Sequence, residues 1–453
     1  MKIIKAKDCS IPEYYKINDS DIHEILNAVN KSALQSESFF LISKKELTDE
    51  PIFQPIYNPK EKQYCWFAGR FIGKTRIPLK NSFVDVEITP RFGEIVLEFM
   101  IQDILGVIIS KSKIENFPKT DFLIKKYISL IWLNHLKKAS RFGFPKAKNE
   151  IIHRGFFIKG MLDVSKTIKS AYNKKQVVSR YTERQKDILI LEILFQSSRI
   201  LFDSKILQVN KTVQHSIDLL NNQQFKKRAI PIKDYQGIKY QRLFSSFKSL
   251  VDLSWQIIHN KGMFYNEGKK DGFSYFLDMA EIWESFLFSI LKEHFNDDWN
   301  VSQPDNIQLY KNKFFEKGIR PDIIMEHKIE KKIIVIDAKW KNMSFNKKDV
   351  DREDFFQIHT YAKYYGDDLL AAGLVYPTEK NNEVENYPAY LIGSNPNQKF
   401  FIEYINLGDL NNNGDKAKTK VEFENRILKF CKRIEKSIIK KLIVKTVGIQ
   451  SII

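Results

Sequence analysis

From Gly318 to Lys341 the chain reads GIRPDIIMEHKIEKKIIVIDAKWK, two apolar runs flanking a charged connection, and this stretch constrains the fold more tightly than any other. The pattern predicts an antiparallel β-hairpin. With the turn centred near Ile329 and Glu330, the register sets Asp322 opposite Asp337 and Ile324 opposite Val335. Strand side chains alternate, so Asp337 and Lys339 share one face while Ile336, Ala338 and Trp340 take the other. Two carboxylates and an ammonium are thereby gathered at one end of a sheet.

That grouping suits phosphodiester hydrolysis. Hard oxygen ligands hold Mg²⁺, whose remaining octahedral positions take waters and phosphate oxygens. The ion activates water and polarises the scissile phosphate, while an ammonium such as Lys339 orients or deprotonates the water and offsets developing charge. An isolated D-x-K is common by chance, and its ordinary reading is a polar strand end beside an exposed lysine. The assignment therefore depends on company, first of all Arg320-Pro321-Asp322 at a hairpin-compatible distance.

Two helices supply more. The segment Phe273–Phe295, FSYFLDMAEIWESFLFSILKEHF, predicts one long helix. Residues placed every 100° put Ser274, Asp278, Glu281, Ser285, Ser289 and Lys292 on a polar arc. Glu284 falls outside it, beside Leu277, Ala280, Phe288 and Leu291, where a carboxylate is costly without a partner. A structural salt bridge is one explanation; a third metal-site carboxylate, or one holding a metal-bound water, is the other. Glu281 reads as surface. Downstream, DFFQIHTYAKYY (Asp354–Tyr365) places Gln357 and Tyr361 on one helical face, where an amide and a phenol can position the lysine, a water or a phosphate. Asp354 shares that face as a cap or further site residue. His359 lies off it and is not assigned as a base.

At 453 residues the chain is too long for one ordinary core. Short apolar segments at Tyr64–Ile72 and Phe83–Ile88, broken by glycine and proline, read as strands; Ile95–Ile109 and Phe122–Lys138 read as helices, so the front of the chain is mixed. From about Gln176 to Ile258 it reads mainly helical, notably at Asp187–Leu201 and Thr212–Asn222. The glycines of Asn260–Gly272 mark a boundary. The expected division is 1–175, a mixed β/α partner-interaction domain; 176–260, a helical middle section; and 261–453, a nuclease domain. Asn411–Lys420 reads as a solvated loop, and Val421–Lys445 as a basic amphipathic helix.

Seventy-three Lys and Arg against 55 Asp and Glu give a formal charge of +18, which favours a polyanionic partner. Three scattered cysteines make neither a disulfide framework nor a zinc site, so a catalytic metal must use oxygen ligands. No run approaches about 18 uncharged apolar residues, and the start MKIIKAKDCSIPEYY lacks a signal-peptide core, so the expected location is the cytoplasm, away from membranes. GRFIGKT (Gly69–Thr75) is one residue short of a phosphate-binding loop and is crowded by Phe71 and Ile72, so no nucleotide is expected on this chain. No helix-turn-helix or zinc finger stands out as a base reader.

Taken in order, Glu284, Pro321-Asp322, Asp337-Ala338-Lys339 and Gln357-x-x-x-Tyr361 resemble the PD-(D/E)XK nuclease superfamily. More closely, the chain resembles the McrC family, the nuclease subunits of McrBC-like restriction systems, in MAEIWE (Met279–Glu284), Arg320-Pro321-Asp322, IDAKWK (Ile336–Lys341) and Asp354-x-x-Gln357. FAGRFIG (Phe67–Gly73) and DVEITPRF (Asp85–Phe92) agree, with RGFFIKGMLDVSKT (Arg154–Thr167) a looser match. The resemblance implies an α/β (α+β) chain with a restriction-endonuclease-like core of mixed sheet flanked by helices. It implies a DNA endonuclease using Mg²⁺, with Mn²⁺ as alternative, through Asp322, Asp337 and Glu284, assisted by Lys339, Gln357 and Tyr361. It also implies double-stranded DNA and a McrB-like AAA+ GTPase as partners, and a cognate cytosine methyltransferase in a type II version. Relatives cut either modified or unmodified DNA. A stand-alone repair or recombination nuclease and a catalytically silent adaptor are the alternatives.

Overall fold

The computed structural model describes residues 2–14, 19–34, 40–42, 51–58, 62–79, 82–105, 119–174, 176–203, 218, 229–259, 275–304, 307–311, 316–341, 343, 350–379, 389–390, 398–410 and 415–439. The chain forms two compact units, one of residues 1–116 with 269–453 and one of 117–268. The larger unit is therefore discontinuous in sequence.

That unit holds two mixed six-stranded sheets. In the amino-terminal sheet, Lys2–Lys7 runs parallel to Ser82–Thr89, which pairs antiparallel with Phe71–Leu79. Phe71–Leu79 then pairs with Tyr275–Asp278, so a strand from much later in the chain completes this sheet. Its core joins Ile4, Phe53, Trp66, Phe71, Val84 and Phe276 to the helix face of Ile22, Ile25, Leu26 and Val29. GRFIGKT lies at the start of Phe71–Leu79, where Lys74 faces Glu87 across the ladder. A strand follows its glycines where a phosphate-binding loop needs a helix N-terminus.

The second sheet is ordered Trp299–Ser302, Ile323–His327, Ile333–Ala338, Leu369–Thr378, Lys399–Asn406 and Ala389–Tyr390. The hairpin register is the expected one, with Ile323 opposite Ile336 and Ile324 opposite Val335. Beyond Ile333–Ala338 the sheet turns parallel, through Leu369–Thr378 to Lys399–Asn406. Leu369–Thr378 is buried at every position, which explains why LLAAGLVYPT is apolar without alternation. One core cluster joins Val335, Leu369, Ala372, Leu374 and Tyr376 to Ile358, Tyr361 and Ala362 of the helix Arg352–Tyr365.

In the larger unit three expectations change. The helix begins at Met279 rather than Phe273: Tyr275–Asp278 is a strand, and Asp278 caps the helix by accepting from the Ala280 amide. Asp278 therefore leaves the polar arc, and a short carboxylate at that point starts the helix instead of lining it. Glu281 is half-buried rather than surface. The helix Lys416–Ile434 starts inside the stretch read as a loop, because Asp415 accepts from the Ala417 amide and caps it.

The smaller unit has a three-stranded sheet of Lys146–Gly155, Val177–Lys186 and Met161–Leu162, with helices at Lys119–Ala139, Ile188–Asp203 and Phe247–His259. The stretch from 176 thus opens with a strand before turning helical. Inside this unit Trp132 Nε1 donates to Ser254 Oγ at 2.7 Å. The expected helix Thr212–Asn222, apart from Asp218, and the boundary Asn260–Gly272 lie outside the described residues. Among the described residues, no helix is long and apolar enough to cross a membrane.

Gly373 faces Phe401 on the neighbouring strand, and a Cβ there would stand 2.5 Å from the ring's Cγ. Gly373→Ala should cost about 1–3 kcal/mol by overpacking, read as a lower urea midpoint for the full chain; an unchanged midpoint would show that the ring has room to yield.

Candidate active site

Asp337 is the penultimate residue of Ile333–Ala338 and only 1% exposed. One step beyond the Ile323–Ile336 pair, the register sets Asp322 level with it. The Asp322 carboxylate turns back onto the partner strand, where its Oδ2 accepts from the Ala338 amide at 2.7 Å. Lys339 continues the strand, its amide donating to the Val375 carbonyl at 3.0 Å.

The Lys339 ammonium is anchored three ways: Asp337 Oδ2 at 2.6 Å, Asp354 Oδ1 at 3.1 Å and Gln357 Oε1 at 2.9 Å. The other end of the Gln357 amide donates to the Tyr361 hydroxyl at 2.7 Å. That hydroxyl lies 3.1 Å from the Arg320 carbonyl and 3.4 Å from Asp337 Oδ1, closing a circuit around the carboxylate. Gln357 and Tyr361 meet because they are four apart on Arg352–Tyr365. The cap of this helix is Asp351, which accepts from the Glu353 amide, so Asp354 is freed for Lys339 and for Lys341 at 3.0 Å. Glu284, on Met279–Phe295, accepts from Gln303 Nε2 at 2.9 Å. His359 instead contacts the Phe355 carbonyl and packs at a tilt of 44° against the Phe355 ring.

The electrostatics follow from crowding. Burial, then the charges of Asp337 and Glu284, hold the Asp322 carboxyl well above the ordinary carboxylate range, against the opposing Ala338 amide and Lys339. Burial disfavours the Lys339 charge, yet Asp337 and Asp354 outweigh it and raise the ammonium above its usual range. An ammonium so held is suited to donating hydrogen bonds and offsetting charge. Of the two roles open to it, orienting and deprotonating, this environment favours the first. Burial and Asp337 likewise push Tyr361 up, so it stays a neutral phenol.

Asp337, Lys339, Gln357 and Tyr361 thus form one bonded set, to which Asp322 is tied by the Ala338 amide and by charge, and Glu284 through its effect on Asp322. Among the described residues, no group of three or more His, Cys, Asp or Glu is gathered as a ready metal shell. Mg²⁺ needs fewer protein ligands, commonly one or two carboxylates with waters completing its octahedron. Asp322 and Asp337 suit that role: their oxygens are hard, and an added cation would offset the burial and the neighbouring negative charge that raise the Asp322 carboxyl. Gln303 carries no sequence signal, since a lone glutamine after a short strand looks like any loop residue. Asp354 had one, its shared face with Gln357 and Tyr361.

No curated protein matches the chain. Among solved structures, a refined half-complex from the tetradecameric assembly of Thermococcus gammatolerans McrB AAA+ hexamers with bound McrC is 13% identical, covering 94% of this chain and 100% of that chain at a TM-score of 0.42. A cryo-EM structure of the Thermococcus gammatolerans McrBC complex is 14% identical, covering 64% and 87% at a TM-score of 0.31. The family model described as "McrBC 5-methylcytosine restriction system component" matches residues 68–377, a span that contains the hairpin, both site helices and the amino-terminal strands from Ala68 onward. With more than half of its length matched, the chain belongs to the McrBC 5-methylcytosine restriction system component family.

Proposed function

We propose that this chain is the DNA-cutting subunit of a McrBC-type restriction assembly, an endodeoxyribonuclease that hydrolyses phosphodiester bonds with Mg²⁺ on a PD-(D/E)XK restriction-endonuclease-like core. The observation that carries the reading is the hairpin register, which levels Asp322 with Asp337 and leaves Lys339 2.6 Å from the Asp337 carboxylate. When bound, Mg²⁺ polarises the scissile phosphate and makes a coordinated water more acidic. Asp322 and Asp337 hold the ion, with Glu284 contributing directly or through a water. Lys339 donates to the phosphate or the attacking water and offsets negative charge. Gln357, Tyr361 and Asp354 keep Lys339 and Asp337 in place. The +18 balance supports DNA as substrate and, with it, a place in the cytoplasm.

Family membership supports a McrB-like AAA+ GTPase as working partner. The smaller unit adds a physical reason for a protein partner. Phe156, Phe157, Ile158 and Met161 are 80%, 60%, 54% and 74% exposed around the short strand Met161–Leu162. An apolar cluster of this kind marks an interaction surface. Phe156→Ser with Phe157→Ser should lower the affinity for the GTPase at least about tenfold in a pull-down titration; undiminished affinity would remove this support. Parallel digestion of methylated and unmethylated plasmid assigns the target, including the type II case with its own cytosine methyltransferase.

Asp337→Ala and Lys339→Ala should each lower cleavage by about a hundredfold or more while the thermal midpoint shows a folded chain. Full cutting by the Asp337→Ala protein would sink the reading.

A second expectation concerns protons. The raised affinity of Asp322 for its proton opposes cation binding, so binding must expel that proton. Mg²⁺ and Mn²⁺ affinity should therefore rise with pH from the ordinary carboxylate range up through the raised value, and calorimetry in buffers of differing ionisation heat should record proton release. Asp322→Asn should abolish the release; metal binding indifferent to both Asp322 and Asp337 would instead mark a silent adaptor.

A further inference from the structure

Lys339 and Trp340 are adjacent and point to opposite faces of the strand end, so what fixes the indole also fixes where the ammonium starts. The hairpin ladder ends at Ile323 and Ile336, and the Lys339 amide bond to Val375 holds the extension from the Leu369–Thr378 side. The other restraint comes from the amino-terminal sheet. Trp340 is 4% exposed, and its Nε1 donates to Asp8 Oδ2 at 2.6 Å. Asp8 follows the strand Lys2–Lys7, is fully buried, and also accepts from the Arg91 amide at 2.6 Å. The Arg91 guanidinium lies 4.7 Å over the indole, 3.8 Å from Asp8, and reaches the Lys341 carbonyl at 3.4 Å. Cys9, at a left-handed φ of 53°, brings its Sγ to 3.7 Å from the Trp340 carbonyl. The indole is thus held at its ring nitrogen, its face and its own backbone.

We propose that Asp8 and Arg91 are positioning residues for Lys339, acting through Trp340, so that the amino-terminal sheet sets the geometry of the cutting centre. The same sheet grips the other half of the site. Tyr275–Asp278 belongs to it, and Asp278, paired with Arg70 at 2.8 Å, caps the helix that carries Glu284. Trp283, next to Glu284, stands 5.7 Å from Trp340 and donates to the same Val375 carbonyl that receives the Lys339 amide. A displacement of this sheet therefore reaches the metal-side helix and the lysine-bearing strand together, and a partner that moves the sheet regulates cutting.

The inference rests on the nuclease reading, and two readouts separate their failures. Trp340→Phe keeps a ring for Arg91 and Trp283 while deleting the bond to Asp8; Asp8→Asn keeps the size while disturbing the same bond. In the full chain with its GTPase and DNA, each should lower kcat roughly ten- to a hundredfold with KM for DNA unchanged, and the double variant should lose little more than either single one. Independently of cleavage, amide exchange across 336–341 should quicken about tenfold in both variants, with the turn at 328–330 unaffected. Unchanged exchange would overturn the proposal whether or not the wild type cuts DNA. Faster exchange with unchanged kcat, or losses that simply add, would overturn it as well. A wild-type chain that cuts nothing refutes the nuclease reading, and the exchange measurement still decides the clamp.

Discussion

Lys339 carries its ammonium into a position where only 14% of the side chain is exposed, and a charge so placed is tolerable only when paired and hydrogen-bonded. Much of the larger unit's layout follows from meeting that demand. Asp337 arrives through strand alternation, and Asp354 and Gln357 through one face of the helix Arg352–Tyr365, while the Val375 carbonyl of the parallel strand alongside holds the Lys339 backbone amide. These partners come from separate stretches of the chain. The hairpin, the crossover helix and the buried central strand must therefore all be in place before the lysine is satisfied, which makes the centre a product of the completed fold.

The same demand orders the carboxylates. Asp337 is spoken for by Lys339 and Tyr361, whereas Asp322 meets one backbone amide and the repulsion of Asp337 and Glu284. Two acids at neighbouring strand ends thus occupy unlike environments, one beside a cation and one whose burial and acidic neighbours favour its protonated form. In the proposed reading this asymmetry gives the cation a place to enter at Asp322, where it would take the position of a proton, while Lys339 stays beside Asp337.

Sequence reasoning reached what is local. The hairpin register, the opposite faces of Lys339 and Trp340, and the Gln357–Tyr361 spacing follow from alternation and helical periodicity over a few residues, and those are the features found. The start of the Glu284 helix was misplaced because Asp278 satisfies a polar arc and an N-cap equally well, and only the pairing of Tyr275–Asp278 with Phe71–Leu79 separates the two. Gln303 and the bond between Asp8 and Trp340 had no local signature. Asp8 and Trp340 are separated by 332 positions, and nothing in either neighbourhood announces the other.

That long separation bears on how such a chain folds. The sheet built from Lys2–Lys7, Phe71–Leu79 and Ser82–Thr89 is incomplete until Tyr275–Asp278 adds to it, so its last strand pairs across the whole of residues 117–268. Closing a loop of that length costs entropy that must be met before the contacts it permits are gained. The contacts available are the buried ones between sheet and site: Phe276 in the amino-terminal core, Arg70 on Asp278, and Asp8 with Arg91 on Trp340. The closure that completes the amino-terminal sheet therefore also brings Arg70 onto Asp278, the residue that caps the Glu284 helix, so this sheet and the candidate site share their longest-range contacts.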